Sequence, residues 1–517
     1  MGVEATGGTA LDTVGDTGKG RRILTLCFVV MAAAVYEINM TNAAVILPHM
    51  QGAFSATKDQ IAWVVTAFIV GMLMGFAWSG WCSNQFGRRA FFLACLGAYI
   101  AASYMCGAAG SLEEEVVWRF AQGMLGAPMM PISHAIVLDS FPREKMAVGN
   151  AIWAIGIMVG PVLGPVVGGY IADSAVWRWV FYFNLPVGIP IFLGCLAFIP
   201  RAPREPARHF DWFGCLSLTL AIGAFQLAIN RGERLDWFAS TEVIVEATIA
   251  VVSAYLFVVH ITTTRHPFVR VEMFRDRNLS LGLLIALVWG FLLHGVLVLI
   301  SIMMQELRGY PVIILGEVLA PRGIGVMAGS IVAIQAARFF DPRYTMTGAV
   351  LLIAGSSWIM AQWTLDVTPW EVAWSGALQG FGTGIGFVTL ASKTFSTLED
   401  RYRTEALTFY NLTTFVGIGT GIAFAVSLVT RNTSGFHALL AEAVSPHNKL
   451  LRFFDLPDAW DPASEAGRAA LDAVIVQQAA MISYLNYFFL ITVIAVATVP
   501  LIFLFKGGRM FGARTGH

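Results

Sequence analysis

Seven ionisable residues fall inside or beside long apolar stretches: Glu37, Arg119, His134, His294, Glu317, Arg322 and Lys393. A charge in hydrocarbon is costly unless it is paired or wetted, so such groups are candidates for proton or substrate pathways. Counted along the helices that must carry them, Glu37 lies roughly 21 Å up its helix and His294 about 22 Å up its own, while Arg119 and Glu317 enter from the opposite face within about 6–8 Å. Those four share one half of the membrane. The chemistry this suggests is reversible protonation. Glu37 reads as a proton-carrying carboxylate, with Arg119 favouring its ionised form when the two approach and desolvation favouring the neutral acid when they part. A substrate-cation site at Glu37 and a purely structural pair are the competing readings. Glu317 precedes Arg322 by five residues across Pro321, so a local Glu–Arg pair competes with a part in proton coupling. His294 is either a titrating group or a hydrogen-bonded packing residue. His134 and Lys393 lie near helix ends, where they are expected to snorkel.

The elements that must position these groups follow from composition. Of 517 residues, 57% are hydrophobic and 13% charged, whereas a soluble domain carries about 25% charged residues. That argues against a soluble enzyme and for a bilayer as the main partner. Lys plus Arg and Asp plus Glu both total 33, so charge gives no reason to expect nucleic acid. Six cysteines (Cys27, Cys82, Cys95, Cys106, Cys195, Cys215) sit in or beside apolar runs without CxxC pairing, which suggests neither disulfides nor a metal site. From Ile23 onward fourteen apolar runs recur, at 23–46, 60–82, 90–110, 115–138, 147–172, 179–199, 211–230, 240–262, 279–301, 312–337, 345–364, 371–396, 405–430 and 480–505. Each is long enough to cross a hydrocarbon core of about 30 Å. Alternate loops carry more than twice as many lysines and arginines on the face shared by both termini, which places both termini in the cytoplasm.

Short echoes recur at a nearly constant offset: Gly87-Arg88-Arg89 with Asp341-Pro342-Arg343, Gln122-Gly123 with Gln379-Gly380, and Pro142-Arg143 with Asp400-Arg401. They divide the chain into a cytoplasmic tail (1–21), a six-helix half (22–200), an inserted helix pair with its linkers (201–278), and a second six-helix half (279–506). That second half contains an outer segment (431–479), and a short tail (507–517) follows. Gly15-Asp16-Thr17-Gly18-Lys19-Gly20 lacks the glycine spacing and the hydroxyl residue of a phosphate loop, and neither HExxH nor GxSxG is present. A chain of such helices without an ATPase reads as a gradient-driven transporter, not an enzyme, and no cofactor or metal is expected.

Gly80-Trp81-Cys82-Ser83-Asn84-Gln85-Phe86-Gly87-Arg88-Arg89 resembles GxLxDRxGRR, a cytoplasmic signature of the major facilitator superfamily. Arg119 through Gly126 is similar to RxxQGxG, and Gly156 through Pro165, with Gly160-Pro161 and Gly164-Pro165, to the antiporter signature GxxxGPxxGP. Trp177 through Gly188 resembles WRWxFxINxPxG, with further matches at Leu47-Pro48-His49-Met50-Gln51, Asp236-Trp237-Phe238 and Gln478-Ala479-Ala480-Met481. Together they resemble the fourteen-helix drug:proton antiporters, in particular the multidrug exporters that work with a periplasmic adaptor. The resemblance implies an all-α membrane protein of the major facilitator fold, two six-helix bundles plus two inserted linker helices. It also implies proton-coupled export of amphipathic compounds across a bacterial inner membrane, with a proton-independent facilitator or dedicated metabolite or lipid exporter as the alternative.

Gly80, Asn84, Gly87, Arg88, Arg89, Gln122, Gly123, Gly160, Pro161, Gly164 and Pro165 would then carry gating. Three acidic positions of the family read as amides here, Asn39, Asn84 and Asn486. Glu37 lies two residues from Asn39, about 200° around the helix. Either Glu37 and Glu317 have taken over proton coupling, or coupling is lost. A substrate cavity is expected to draw on Tyr36, Asn39, Trp63, Trp153, Trp289, His294, Phe381, Phe409, Tyr410 and Asn411, since large adaptable apolar surfaces accept varied amphipathic molecules. Within the outer segment, residues 436–440 and 469–474 read as short amphipathic helices around Asp455-Leu456-Pro457-Asp458, either a cap or a docking site for the adaptor.

Overall fold

Backbone in hydrocarbon must satisfy its N–H and C=O groups within its own segment, and each of the fourteen apolar runs accordingly lies on helix. The computed structural model describes residues 19–141, 146–174, 176–200, 211–264, 267, 269–444, 460 and 464–506. The helices are α1 (Lys19–Ala53), α2 (Trp63–Phe86), α3 (Arg88–Ala108), α4 in two pieces (Leu112–Gly126 and Met129–Asp139) and α5 (Met146–Ser174). Next come α6 in two pieces (Trp179–Tyr182 and Asn184–Phe198), α7 (Trp212–Gly232), α8 (Thr241–Thr263), α9 (Arg277–Glu306) and α10 (Val312–Phe339). The last four are α11 (Pro342–Met360), α12 (Pro369–Thr394), α13 (Arg403–Ala443) and α14 (Glu465–Ile502). Ten helices among the described residues are long and apolar enough to span a bilayer by length and composition. Several expectations fall outside the described residues: most of the N-terminal tail and all of 507–517, Pro142, Arg143, and Asp455 to Asp458 with their flanks.

The break in α4 falls at Ala127-Pro128, where proline lacks an amide donor and crowds the preceding turn. Gly87, at φ 83°, turns the chain between α2 and α3 in a conformation that costs a side-chain-bearing residue strain. Polar caps start other helices: Asp276 Oδ1 accepts from the Leu279 amide at 2.8 Å, and Ser464 Oγ from the Gly467 amide at 2.9 Å. The final helix pair departs from expectation. Instead of short helices in an outer loop, α13 runs on to Ala443 and α14 starts at Glu465. Each is close to 60 Å long at 1.5 Å per residue, about twice a hydrocarbon core. His437 Nε2 and Asp472 Oδ1, 2.8 Å apart, join the two extensions.

Two large apolar cores form. One is drawn from α1–α6 together with Leu218, Leu412, Phe415 and Ile418; the other is drawn mainly from α9–α14 together with Ala135, Leu138 and Ala151. Each core thus borrows side chains from the other group of helices. The pair α7–α8 stands aside, α7 packing on α2 and α13 and α8 mainly on α7. Arg21 and Thr25 donate to the Phe198 carbonyl, and the Lys506 amide donates to Asn278, so the first and last described segments anchor at helix ends on one face, the terminal end.

Glycines repeat the same close approach in both groups. A Cβ at Gly71, Gly75 or Gly123 would strike the backbone oxygen of Phe120, Met124 or Phe68; at Gly325, Gly329 or Gly380 it would strike that of Ala377, Phe381 or Arg322. The offset is constant within each helix, so the α2–α4 contact is rebuilt as α10–α12. Removing the side chain is what lets these backbones touch. Gly123→Ala and Gly380→Ala are each expected to destabilise by about 1–3 kcal/mol through overpacking. Gly348→Ala and Gly355→Ala, with open space around the added carbon, should be neutral or stabilising. Thermal melting of the four variants in detergent checks this.

Candidate functional site

Because α1 and α4 cross inside the first core, residues from both meet at one buried cation. Arg119, fully buried, donates from Nη1 to Asn39 Oδ1 at 2.8 Å and to Gln122 Oε1 at 2.6 Å, and from Nε to the Val64 carbonyl at 3.4 Å. Its guanidinium lies over Phe68 at 4.3 Å and near Phe181 at 5.5 Å. Gln122 Nε2 continues the chain to Ser103 Oγ on α3 at 2.7 Å. The Gln–Ser element is duplicated, Gln379 Nε2 donating to Ser357 Oγ at 3.3 Å between α12 and α11. Arginine is not duplicated in place. One turn before Gln379 stands Gly376, and Arg322 Cβ from α10 lies 3.7 Å from where its Cβ would be.

The amide Asn39, not Glu37, is therefore what the structure brings to Arg119. Rotation about α1 is the reason: Glu37 turns instead toward α5, where a Cβ on Gly160 would run into Glu37 itself. Glu37 is buried and its Oε1 has no hydrogen-bond partner among the described residues. Thr41, one turn on, donates to the Ile38 carbonyl at 3.1 Å and reaches the Gly160 carbonyl at 3.4 Å, and Thr41 also fills the space over Gly164. The side chains of Pro161 and Pro165 lie outside the described set. Sequence reasoning misses one acid at this site: Glu115, fully buried on α4 one turn before Arg119, with neither carboxylate oxygen hydrogen-bonded among the described residues. It sits in the run Glu113-Glu114-Glu115, which reads as ordinary negative charge on a helix N-terminal turn. The only available signal is the spacing Glu115 to Arg119, which puts both on one face.

A second polar cluster lies toward the terminal end. His134 Nε2 and Asn150 Oδ1 are 2.8 Å apart, and Asn150 Nδ2 donates to Ser392 Oγ at 2.9 Å, joining α5 to α12 across the two helix groups. Trp153 stacks on His134 at 3.9 Å and on Phe387 at 5.8 Å, and its Nε1 donates to Ser133 Oγ at 2.9 Å. His134 and Lys393 are buried, so neither snorkels; their environments are protein, not headgroup. Phe76 of α2 stacks on Phe415 of α13 at 5.0 Å, a further contact between helices of the two groups. The terminal end is thus closed by side chains from both groups.

The remaining candidates scatter. Tyr36 is buried with its hydroxyl donating to the Gly123 carbonyl at 3.0 Å, a helix-packing contact. Trp63 lies under the Arg231 guanidinium at 4.8 Å, facing α7. Trp289 covers Gly386, and Phe381 is half-buried against the second core. Phe409 sets its edge to Phe274 at 5.7 Å, Tyr410 to Phe395 at 5.4 Å, and Asn411 Nδ2 donates to the Leu407 carbonyl at 2.8 Å. His294 lies within electrostatic range of Arg322, whereas Glu317 and Asn486 are exposed. Of the residues expected to carry gating, Asn84 is half-buried, Gly80 faces Thr408 of α13, Arg88 pairs with Asp139, and Arg89 Nη2 donates to the Leu196 carbonyl at 2.6 Å.

A family model described as Major Facilitator Superfamily matches residues 29–423. The chain belongs to the major facilitator superfamily. It is a multi-pass membrane protein and a secondary transporter, not an enzyme. It is similar to the multidrug export protein EmrB of Escherichia coli (strain K12), 30% identical over 420 residues, 81% of this chain and 82% of that one. Similarity to the fatty acid resistance protein FarB of Neisseria gonorrhoeae is 28% over 481 residues, 92% of this chain and 94% of the other. Among solved structures, the proton:xylose symporter XylE bound to 6-bromo-6-deoxy-D-glucose aligns with a TM-score of 0.59 at 11% identity, covering 95% of this chain and all (100%) of that one. The human organic anion transporter MFSD10 aligns at 0.58 and 13% identity, covering 93% and 100%. These likenesses show a shared fold.

Proposed function

We propose that this transporter exports amphipathic organic compounds from the cytoplasm in exchange for protons, by alternating access across an inner membrane with both termini cytoplasmic. The observation that carries the proton half is Glu37: a carboxyl buried against the Gly160 seam, one oxygen without a hydrogen bond, is tolerated far better neutral than charged. A cycle that exposes it to water alternately on each side would load and unload one proton. The amphipathic substrate class is supported by the two relatives, whose names concern multidrug export and fatty acid resistance. The helical extensions of α13 and α14, joined at His437 and Asp472, support docking of an adaptor there; deleting residues 436–475 should abolish adaptor binding and spare dye transport.

The test is pH-gradient-driven uptake of amphipathic dyes into liposomes holding the purified protein. Glu37→Gln should cut gradient-driven accumulation by about tenfold or more, the scale on which a proton-transfer group acts. The second reading, a facilitator without coupling, is favoured by the amides at Asn39, Asn84 and Asn486. Gradient-independent transport by the unsubstituted protein, or coupling that arises only in Asn39→Asp, would establish it instead.

A further inference from the structure

We propose that Glu115 is a second proton-exchange site, one that answers directly to Arg119; this inference rests on the proton-coupled reading above. Both oxygens of Glu115 lack a hydrogen-bond partner among the described residues, and so does Nη2 of Arg119. The two residues are four apart on α4, on one face, and lie within electrostatic range of each other. A complementary donor and acceptor on one helix face, both buried and both without a hydrogen-bond partner among the described residues, fit a resting state in which a neutral carboxyl leaves Arg119 engaged elsewhere, with Asn39 and Gln122.

Losing the proton reverses the preference. The Oε–H bond breaks, the proton passes to water, and the carboxylate gains a charge-assisted hydrogen bond from Arg119 Nη2. Drawing the guanidinium one turn toward Glu115 loosens its bond to Asn39, the residue of α1 that faces the site. Protonation of Glu115 is thereby linked to the α1–α4 contact without any carboxylate on α1 at that position. Glu115 is three residues inside the first turn of α4, roughly 5 Å from that helix end, so its route to water on the distal side is short.

The groups around Glu115 are few. On its own helix there is Arg119; α3 contributes Cys106; the turn before α6 contributes Arg178, whose Nη2 donates to the Ala109 carbonyl at 3.0 Å and whose guanidinium lies over Trp177 at 4.4 Å. Tyr36 of α1 and Tyr99 of α3 neighbour Arg119, not Glu115. Glu113 and Glu114 point outward and are exposed. Arg178 is thus the competing partner, and a purely structural Glu115–Arg178 pair is the alternative that the experiment must separate.

Glu115→Gln, Glu115→Asp and the unsubstituted protein are compared in liposomes, and their protonated-carboxyl infrared bands are recorded in nanodiscs across a pH series. The expected result is loss of one buried carboxylic-acid band in Glu115→Gln, a band that Glu37→Gln keeps. Gradient-driven dye accumulation in Glu115→Gln should fall about tenfold or more while passive dye efflux down its own gradient persists, which shows a folded carrier. Glu115→Asp should retain accumulation with a displaced pH profile, which a structural pair would not produce. An unchanged band in Glu115→Gln, or full gradient-driven accumulation by that variant, overturns the assignment to Glu115 while leaving proton coupling intact. Gradient independence of the unsubstituted protein overturns both readings, and is seen in a different sample.

Discussion

Arg119→Lys is expected to remove transport almost completely while the protein still folds. The guanidinium satisfies Asn39 Oδ1, Gln122 Oε1 and the Val64 carbonyl together and lies over Phe68. An ammonium on a flexible stem keeps the charge but cannot present a planar fork to three acceptors and a ring. At least two acceptors are then left dry, at about 1–3 kcal/mol each. Because about 1.4 kcal/mol is tenfold in an equilibrium, the conformation that holds α1 to α4 should lose about a hundredfold in population. Initial rates of dye transport in liposomes measure the effect, and a monodisperse elution profile confirms folding. If the Arg119→Lys carrier kept a third or more of the rate, charge alone, without the fork, would suffice at the site.

The elements are legible because membrane helices are set by length and apolar content, and both read directly from the chain. The interruption of α4 at Pro128 is not, since the apolar run continues through it. The outward continuations of α13 and α14 are hidden for the opposite reason: residues 431–443 and 465–479 are too polar to count as membrane, yet helix formation continues through them. Site residues are legible by type and poorly by direction. Glu37 and Asn39 are neighbours in sequence, but facing is decided by which side of α1 meets α4 and which meets the glycine seam of α5. Glu115 escapes notice because three consecutive glutamates look solvated, and only its burial, beside Cys106 of α3 and Arg178 before α6, singles out the third. Distance from a helix end misplaces His134, because it says nothing of the neighbours; Trp153 and Asn150 enclose the ring.

Cross-linking Asn150→Cys to Ser392→Cys is expected to stop transport reversibly. In this conformation the two side chains are in hydrogen-bond contact, 2.9 Å apart, and α5 and α12 belong to different helix groups. Alternating access by rocking of one group on the other requires that this contact open once per cycle. A neutral hydrogen bond contributes only about 0.5–1.5 kcal/mol net, weak enough to break at every turnover. Stacking of Trp153 between His134 and Phe387 adds apolar contact without a fixed charge. A covalent bridge replaces this weak contact with one that does not open. Cys27 is exposed and must be replaced by serine first, whereas the other five cysteines are buried. Oxidation should lower dye transport to the level of empty liposomes, and a reductant should restore it; each single cysteine variant should be insensitive to both. Because a disulfide needs Cβ atoms about 3.5–4.5 Å apart, formation of the bridge itself reports how often the terminal end is closed. Dithiothreitol-sensitive mobility on a gel, alongside full transport in the oxidised sample, would show that substrate passes without that end opening, and the two-group rocking scheme would have to be abandoned for this protein.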